Sequence, residues 1–463
     1  MISIGVADPD LRRCPNCEGL EKKVHALEAQ LAAKDKRVHT LEEQVTELQG
    51  YVFGRHHKSQ NPPKKPGAKA DHPGWFRSKP TEVHRTEDVL LSICPNCGSK
   101  DLSLCAEIEE HTQEDIVLPE PQVTLYRKQV YWCRGCGKKV RGKGQDELPG
   151  SPIGPVTKSV ADFFRYKVKV TQRDIVRIFK GLFHLSVTEG AVQGFHTQTR
   201  KKAAPLHDQI KAQIKTEPAV HADETGAPIN GDNGWTWLAA SSRMALYATG
   251  ASRGGKVIQS ILGEDFEGIL SSDFYGGYNR SIRAKAKQKC LVHLDRDLKK
   301  LLMNFPAHNP VFRWAQRVRN FFQEARALYD AYHAGKLTAE QLADAAVRFK
   351  NELPTLIQLK AQEPDIRRLS KRLLKHQDEL LTFLDYPDLV SPDNNYAERL
   401  IRACAIFRKI TGGFRSQTGT LNHDVLMSLT QTAHLNGKDP LTLFRHILTA
   451  TPKTLLLDYC LSP

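Results

Sequence analysis

Nowhere in the 463 residues do eighteen apolar side chains follow one another, so no membrane-spanning helix is expected. The first residues, MISIGVADPDLRR, hold no apolar run of signal-peptide length. A disulfide framework is missing too: six of the ten cysteines lie in Cys-x-x-Cys pairs, the spacing of metal knuckles. Reduced thiols and a cytoplasmic setting are the resulting expectations. Aromatic residues are 8% and form no evident platform, which argues against a hydrolase that uses paired carboxylates on sugars. Acidic residues are the scarcer sign, 52 Asp plus Glu against 67 Lys plus Arg, leaving +15 at pH 7. That surplus favours a polyanionic partner, because each phosphate neutralised releases condensed counterions.

A chain of this length calls for two or three domains. Within 18–50, Leu20, Val24, Leu27, Leu31, Val38, Leu41, Val45 and Leu48 step alternately by four and three, with Lys34 the one break. Four heptads of that kind predict a coiled coil and a homodimer or higher oligomer. Cys14 and Cys17 precede it, where they could share an ion across a dimer axis or stand idle. Residues 51–90 read as a basic linker: from Gly54 to Pro80 there are seven Lys/Arg, one Asp and five prolines. Within 91–150, Cys94, Cys97, Cys133 and Cys136 form two knuckles, each followed by glycine. Four thiolates fill the tetrahedral shell of a structural Zn²⁺ and leave no open catalytic position. The long gap between the pairs predicts an inserted hairpin near 122–132. Residues 151–217 are helical and basic, with Thr188 a predicted N-cap. They read equally as a helix-turn-helix or as a packing module.

From Ala219 the period changes. AVHAD, WTWLAAS, MALYATG and GILSSD read as strands, 254–263 as a helix, and the order fits a mixed α/β sheet. Asp223 is predicted to end the first of these strands and Asp273 the fourth. Residues 295–390 carry no strand pattern and read as a helical insertion, with Thr338-Ala-Glu-Gln341 a capping box. Ser391-Pro392 has the signature of a helix start. On that helix Ala397, Leu400, Ile401 and Cys404 form the buried stripe, and Glu398 lies at its rim. Two Asp at strand ends and one Glu on a later helix suit two Mg²⁺ or Mn²⁺ ions, which activate one oxygen and stabilise another in an in-line displacement. Three carboxylates without metal repel, so at least one should titrate high. Glu224, next to Asp223, points to the other face of the strand and is left out. Arg253, His293, Arg296, Arg399 and Arg402 are candidates for DNA phosphate contacts or for internal salt bridges.

His221-Ala-Asp223-Glu-Thr-Gly226, Ser272-Asp273-Phe-Tyr-Gly-Gly-Tyr278, Cys290-Leu-Val-His293 and Asn394-Asn395-Tyr-Ala-Glu398-Arg399 together resemble the insertion-sequence-66 family of DDE transposases. Trp235-Thr-Trp237 and GKDPLTLF resemble it as well, and so does the order of zipper, zinc module, helical segment and catalytic part. The resemblance implies a ribonuclease-H-like fold over 218–420, followed by a helical segment at 421–463. It implies Asp223, Asp273 and Glu398 as the metal triad, and transposon ends joined to target DNA by 3′-hydroxyl attack. Companion transposition proteins are implied too. Two other readings remain: a non-catalytic DNA-binding regulator derived from a transposase, and another ribonuclease-H-like nuclease.

Overall fold

The computed structural model describes residues 23–35, 37–38, 80–106, 108–358 and 364–450, in two units, 1–115 and 116–463. In the first unit, residues 23–35 form helix α1, on which Val24, Leu27 and Leu31 are exposed. Leu20, Leu41, Val45, Leu48, Cys14, Cys17 and most of the basic linker lie outside the described residues. A second regular feature among the described residues of this unit is the Cys94 knuckle, where Gly98 N–H donates to the Cys94 carbonyl at 2.9 Å.

The second unit opens with a hairpin, β1 (Val130–Cys133) paired antiparallel with β2 (Lys138–Arg141). This corrects the hairpin expected at 122–132. The turn is the Cys133-Cys136 knuckle itself, closed by Gly137 N–H on the Cys133 carbonyl, with Gly137 at φ +63°. Helices α2 (Pro155–Asp162), α3 (Gln172–Leu182) and α4 (Glu189–Gln213) follow, and a π-helical turn, Phe163–Val168, continues α2. Thr188 caps α4 by accepting from Ala191 N–H at 3.1 Å.

A five-stranded sheet is the centre of the unit. Its strands are β3 (Ala219–Gly226), β4 (Trp235–Ala240), β5 (Ala245–Gly250), β6 (Asp265–Ser272) and β7 (Arg283–Lys289), ordered β5-β4-β3-β6-β7. The β3-β4-β5 meander is antiparallel, whereas β6 joins β3, and β7 joins β6, in parallel. Helix α5 (Lys256–Leu262) makes the crossover to β6, and α6 (Gly277–Ser281) lies between β6 and β7. Alternation along β4 divides its two faces. Trp237 is buried with Leu206 and Ile210 of α4, Ile258 of α5 and Tyr278 of α6. Leu238 is buried with Ala397, Ile401 and Cys404 of α12 (Asn395–Thr411).

Along the chain, the helical insertion follows β7 and precedes α12: α7 (Leu291–Asn304), α8 (Pro310–His333), α9 (Ala339–Ile357), α10 (Pro364–Lys375) and α11 (Thr382–Asp385). It has its own core around Trp314, Phe321, Phe349 and Phe383, joined to the sheet through Ile269. Both halves of the Thr338–Gln341 capping box form. The KCLVHLDRDLKKLL stretch is α7 from Leu291 onward. Helix α12 starts three residues beyond the Ser391-Pro392 signature, because Pro392 gives its carbonyl to Leu291 N–H at 2.9 Å and Asp393 caps Asn395 N–H. Glu398 therefore sits in the first turn of α12.

The C-terminal helices α13 (Gln417–Leu435) and α14 (Pro440–Thr449) belong to the same core and are not a separate segment. Asp424, Ser428 and Thr432 of α13 accept from the N–H groups of Thr249, Tyr247 and Ala245 on edge strand β5. Four helical residues rise about 6 Å and two strand residues about 6.6 Å, so the two ladders keep step. The exposed edge is thereby covered.

Candidate functional site at the strand ends

The site gathers where β3 and β6 run parallel at the middle of the sheet. His221 pairs with Ser271, and continuing that register sets Asp223 level with Asp273. Asp223 lies within β3, which runs on to Gly226, instead of ending it; Asp273 is the first residue after β6. Asp223, Asp273 and Glu398 are all half-buried.

Burial pushes the Asp223 carboxyl up to about 7, and the charges of Glu224, Asp273 and Glu398 push the same way. Its Oδ1 accepts from Glu224 N–H at 2.9 Å. Asp273 Oδ1 accepts from Tyr275 N–H at 2.8 Å, which turns the chain sharply away from the strand. Asp223 thus feels the other two acids, yet the three are not a single tight cluster. Among the described residues, the His/Cys/Asp/Glu group whose ligand atoms all lie within 4.8 Å is Cys290, His293 and Glu398.

Asn394 locks α12 in place. Its side-chain amide donates to the Ala222 carbonyl at 2.8 Å, its Oδ1 lies 3.2 Å from His221 Nδ1, and its N–H donates to Cys290 Sγ at 3.2 Å. One buried amide thereby ties the start of α12 to β3 and to the start of α7. Tyr396 adds a second tie through its hydroxyl to the Ser241 carbonyl at 2.6 Å.

Sequence reasoning passed over Lys289. It is fully buried and donates to Ser272 Oγ at 3.0 Å and to the Asp273 carbonyl at 2.9 Å. Burial lowers its ammonium to about 8, against the pull of Glu379 and Asp273. The β7 strand end was the available signal, since a lysine there is set beside the end of β6.

Of the basic candidates, Arg253 bonds Glu224 Oε1 through Nε at 3.2 Å and Nη2 at 2.9 Å, and stacks over Trp235 and Tyr275. Its guanidinium is thus held by Glu224 on the far face of β3. His293 Nδ1 lies 3.7 Å from Glu398 Oε1. Arg296, Arg399 and Arg402 are exposed on α7 and α12.

Each zinc knuckle is locally complete. Backbone hydrogen bonds from Cys97 and Asn96 lower the Cys94 thiol, and those of Cys136 and Gly135 help lower Cys133. The positive φ of Gly98 and Gly137 lets the chain curl round the sulfurs. Such thiols suit a thiophilic cation.

Residues 161–422 match the family model described as "Transposase IS66 family", a span that includes Asp223, Asp273 and Glu398. The chain belongs to this family. Residues 92–137 match the zinc-finger binding domain of transposase IS66, a span that takes in both knuckles. Among curated proteins, the uncharacterized protein y4jD of Sinorhizobium fredii is 26% identical over 301 residues, 57% of this chain and 56% of that protein. The chain therefore spans little more than half the length of that relative. The uncharacterized protein y4qI of the same organism is 25% identical over 412 residues, covering 79% of this chain and 72% of its own. No helix among the described residues is long and apolar enough to cross a membrane.

Proposed function

We propose that this chain is a DNA transposase that cleaves transposon ends and joins them to target DNA by 3′-hydroxyl attack. The observation that carries the reading is the placement of Asp223 on β3 level with Asp273 at the β6 end, with Glu398 on the first turn of the helix packed on that face of the sheet. A sheet of order β5-β4-β3-β6-β7, with an antiparallel meander and two parallel additions, supports a ribonuclease-H-like catalytic domain. The three carboxylates would hold two Mg²⁺ or Mn²⁺ ions, and oxygen donors that repel one another when bare fit hard cations. Such ions activate the attacking oxygen and stabilise the leaving one. Asn394 ties the start of the helix that carries Glu398 to β3, and Lys289 holds the Asp273 carbonyl. Cys94, Cys97, Cys133 and Cys136 would share one structural Zn²⁺, a reading supported by the zinc-finger match. Transposon-end and target DNA are the proposed partners, with the 18–50 seam as the means of oligomerisation and companion proteins as helpers.

The experiment is a nicking and strand-joining assay of the full chain on a duplex carrying the element's own end, with Mg²⁺ or Mn²⁺ added or withheld. Metal-dependent products are expected. Binding without metal-dependent products under either ion would instead mark the chain as a DNA-binding regulator.

A further inference from the structure

Cys290 is the N-cap residue of α7 and His293 stands at its third helical position. Residues so placed converge at a helix start, as the members of a capping box do. Glu398 reaches the same point from the first turn of α12. The three ligand atoms lie within 4.8 Å of one another. His293 Nδ1 and Glu398 Oε1 are both buried atoms without a hydrogen-bond partner among the described residues. Their separation, 3.7 Å, is too long for a hydrogen bond. It is close to the edge of a tetrahedral zinc shell, about 3.3–3.6 Å for ligands at about 2.0–2.3 Å from the ion. Two buried polar atoms that face each other without bonding leave a cost that a shared cation removes. The thiol is held in place as well, since Cys290 Sγ accepts the Asn394 N–H at 3.2 Å.

We infer that Cys290, His293 and Glu398 form a thiophilic metal site for Zn²⁺, separate from the two cysteine knuckles, with the fourth position left to water. A sulfur, an imidazole nitrogen and one carboxylate oxygen select Zn²⁺ over Mg²⁺, which takes oxygen donors and dehydrates reluctantly. Because Glu398 serves here too, zinc bound at this point withdraws it from Asp223 and Asp273, so zinc inhibits magnesium-supported chemistry. The inhibition rests on the transposase reading; the binding does not.

Metal binding on the full chain tests the site. After loading with Zn²⁺ and desalting, the wild type retains about two zinc ions per chain and Cys290→Ser about one. Serine keeps an acceptor for Asn394 N–H but is a poor zinc ligand. With Cd²⁺ as the probe, the wild type shows an NMR resonance of mixed sulfur, nitrogen and oxygen ligation that Cys290→Ser lacks, beside a four-sulfur resonance that both keep. Should Cys290→Ser fail to fold, Glu398→Gln takes its place and weakens retention of the second ion at least about tenfold. In the cleavage assay, the zinc concentration that halves Mg²⁺-supported activity rises at least about tenfold in Cys290→Ser. Unchanged stoichiometry and an unchanged cadmium spectrum in the variant overturn the site. Loss of the second ion with no shift in zinc inhibition overturns the inhibitory role. Asp273→Asn separates the two readings, because it leaves zinc and cadmium binding intact whatever it does to cleavage.

Discussion

Asp223 and Glu224 are adjacent acids on β3 with opposite surroundings. Glu224 points toward α5 and α6, where Arg253 holds it in a two-point ion pair and the Tyr278 hydroxyl donates to it. Asp223 points toward α12, where the charges of Asp273 and Glu398 bear on it and its carboxylate accepts from a backbone N–H, that of Glu224. Strand alternation sends neighbours to opposite faces, so adjacent residues of one chemical type take different tasks. On one face an acid is paired by Arg253 and Tyr278, although burial and the Asp273 charge still push its carboxyl up. On the other it is left wanting a positive partner, the condition in which a cation binds.

The largest expected effect breaks or keeps this contrast directly. Asp223→Asn, Asp273→Asn and Glu398→Gln should each lower metal-dependent cleavage by about a thousandfold or more, while DNA binding by gel shift persists. Glu224→Gln should leave most of that activity in place. If Glu224→Gln abolishes cleavage and Glu398→Gln spares it, the assignment of the two faces is reversed.

Next in size is stability. Glu224→Gln leaves Arg253 without its charged partner and should cost about 1–3 kcal/mol in denaturant unfolding. An unchanged midpoint would mean that the saturated face does not contribute to holding the fold.

Acidity sharpens the comparison further. The folded, metal-free protein keeps a proton on Asp223 up to about pH 7, whereas an ordinary Asp loses it near 3.8. Folding therefore takes up a proton in that window, and Asp223 makes the folded state progressively less stable as pH rises through it. Asp223→Asn removes the penalty. Without metal, its melting temperature should exceed that of the wild type by a few degrees at pH 8, and the gap should shrink toward pH 5. Adding Mn²⁺ should stabilise the wild type more than the variant. A gap independent of pH would show that burial and neighbouring charge do not act on Asp223 as inferred.

The smallest effect concerns Tyr278→Phe, which deletes one donor to Glu224 while Arg253 stays. A loss of about 0.5–1.5 kcal/mol is expected with no change in cleavage. A large fall in activity would tie the far face to the chemistry.

Much of the local structure was legible. The switch from helical to alternating patterns marked the sheet, and the Thr188 cap and the Thr338–Gln341 box form where the residues called for them. The knuckles were readable from Cys-x-x-Cys-Gly, but the hairpin was misplaced because its turn is the knuckle itself. The start of α12 was set three residues early, since a cap-plus-proline signature carries no information about a carbonyl claimed by Leu291.

By itself, the sequence determined which segments prefer helix or strand, where caps and tight turns fall, and that three acids stand in order along an α/β pattern. Each of these depends on groups a few residues apart, so periodicity and local hydrogen bonding suffice to specify it. Only the tertiary structure decided that Asn394 joins β3 to two helix starts, and that α13 covers the edge of β5. The same holds for Lys289 beneath Asp273 and for Cys290 beside Glu398. Most of these contacts join residues from distant parts of the chain, and all require elements packed in one particular arrangement. No local preference encodes that arrangement; it follows from burying every apolar face and satisfying every buried polar group together.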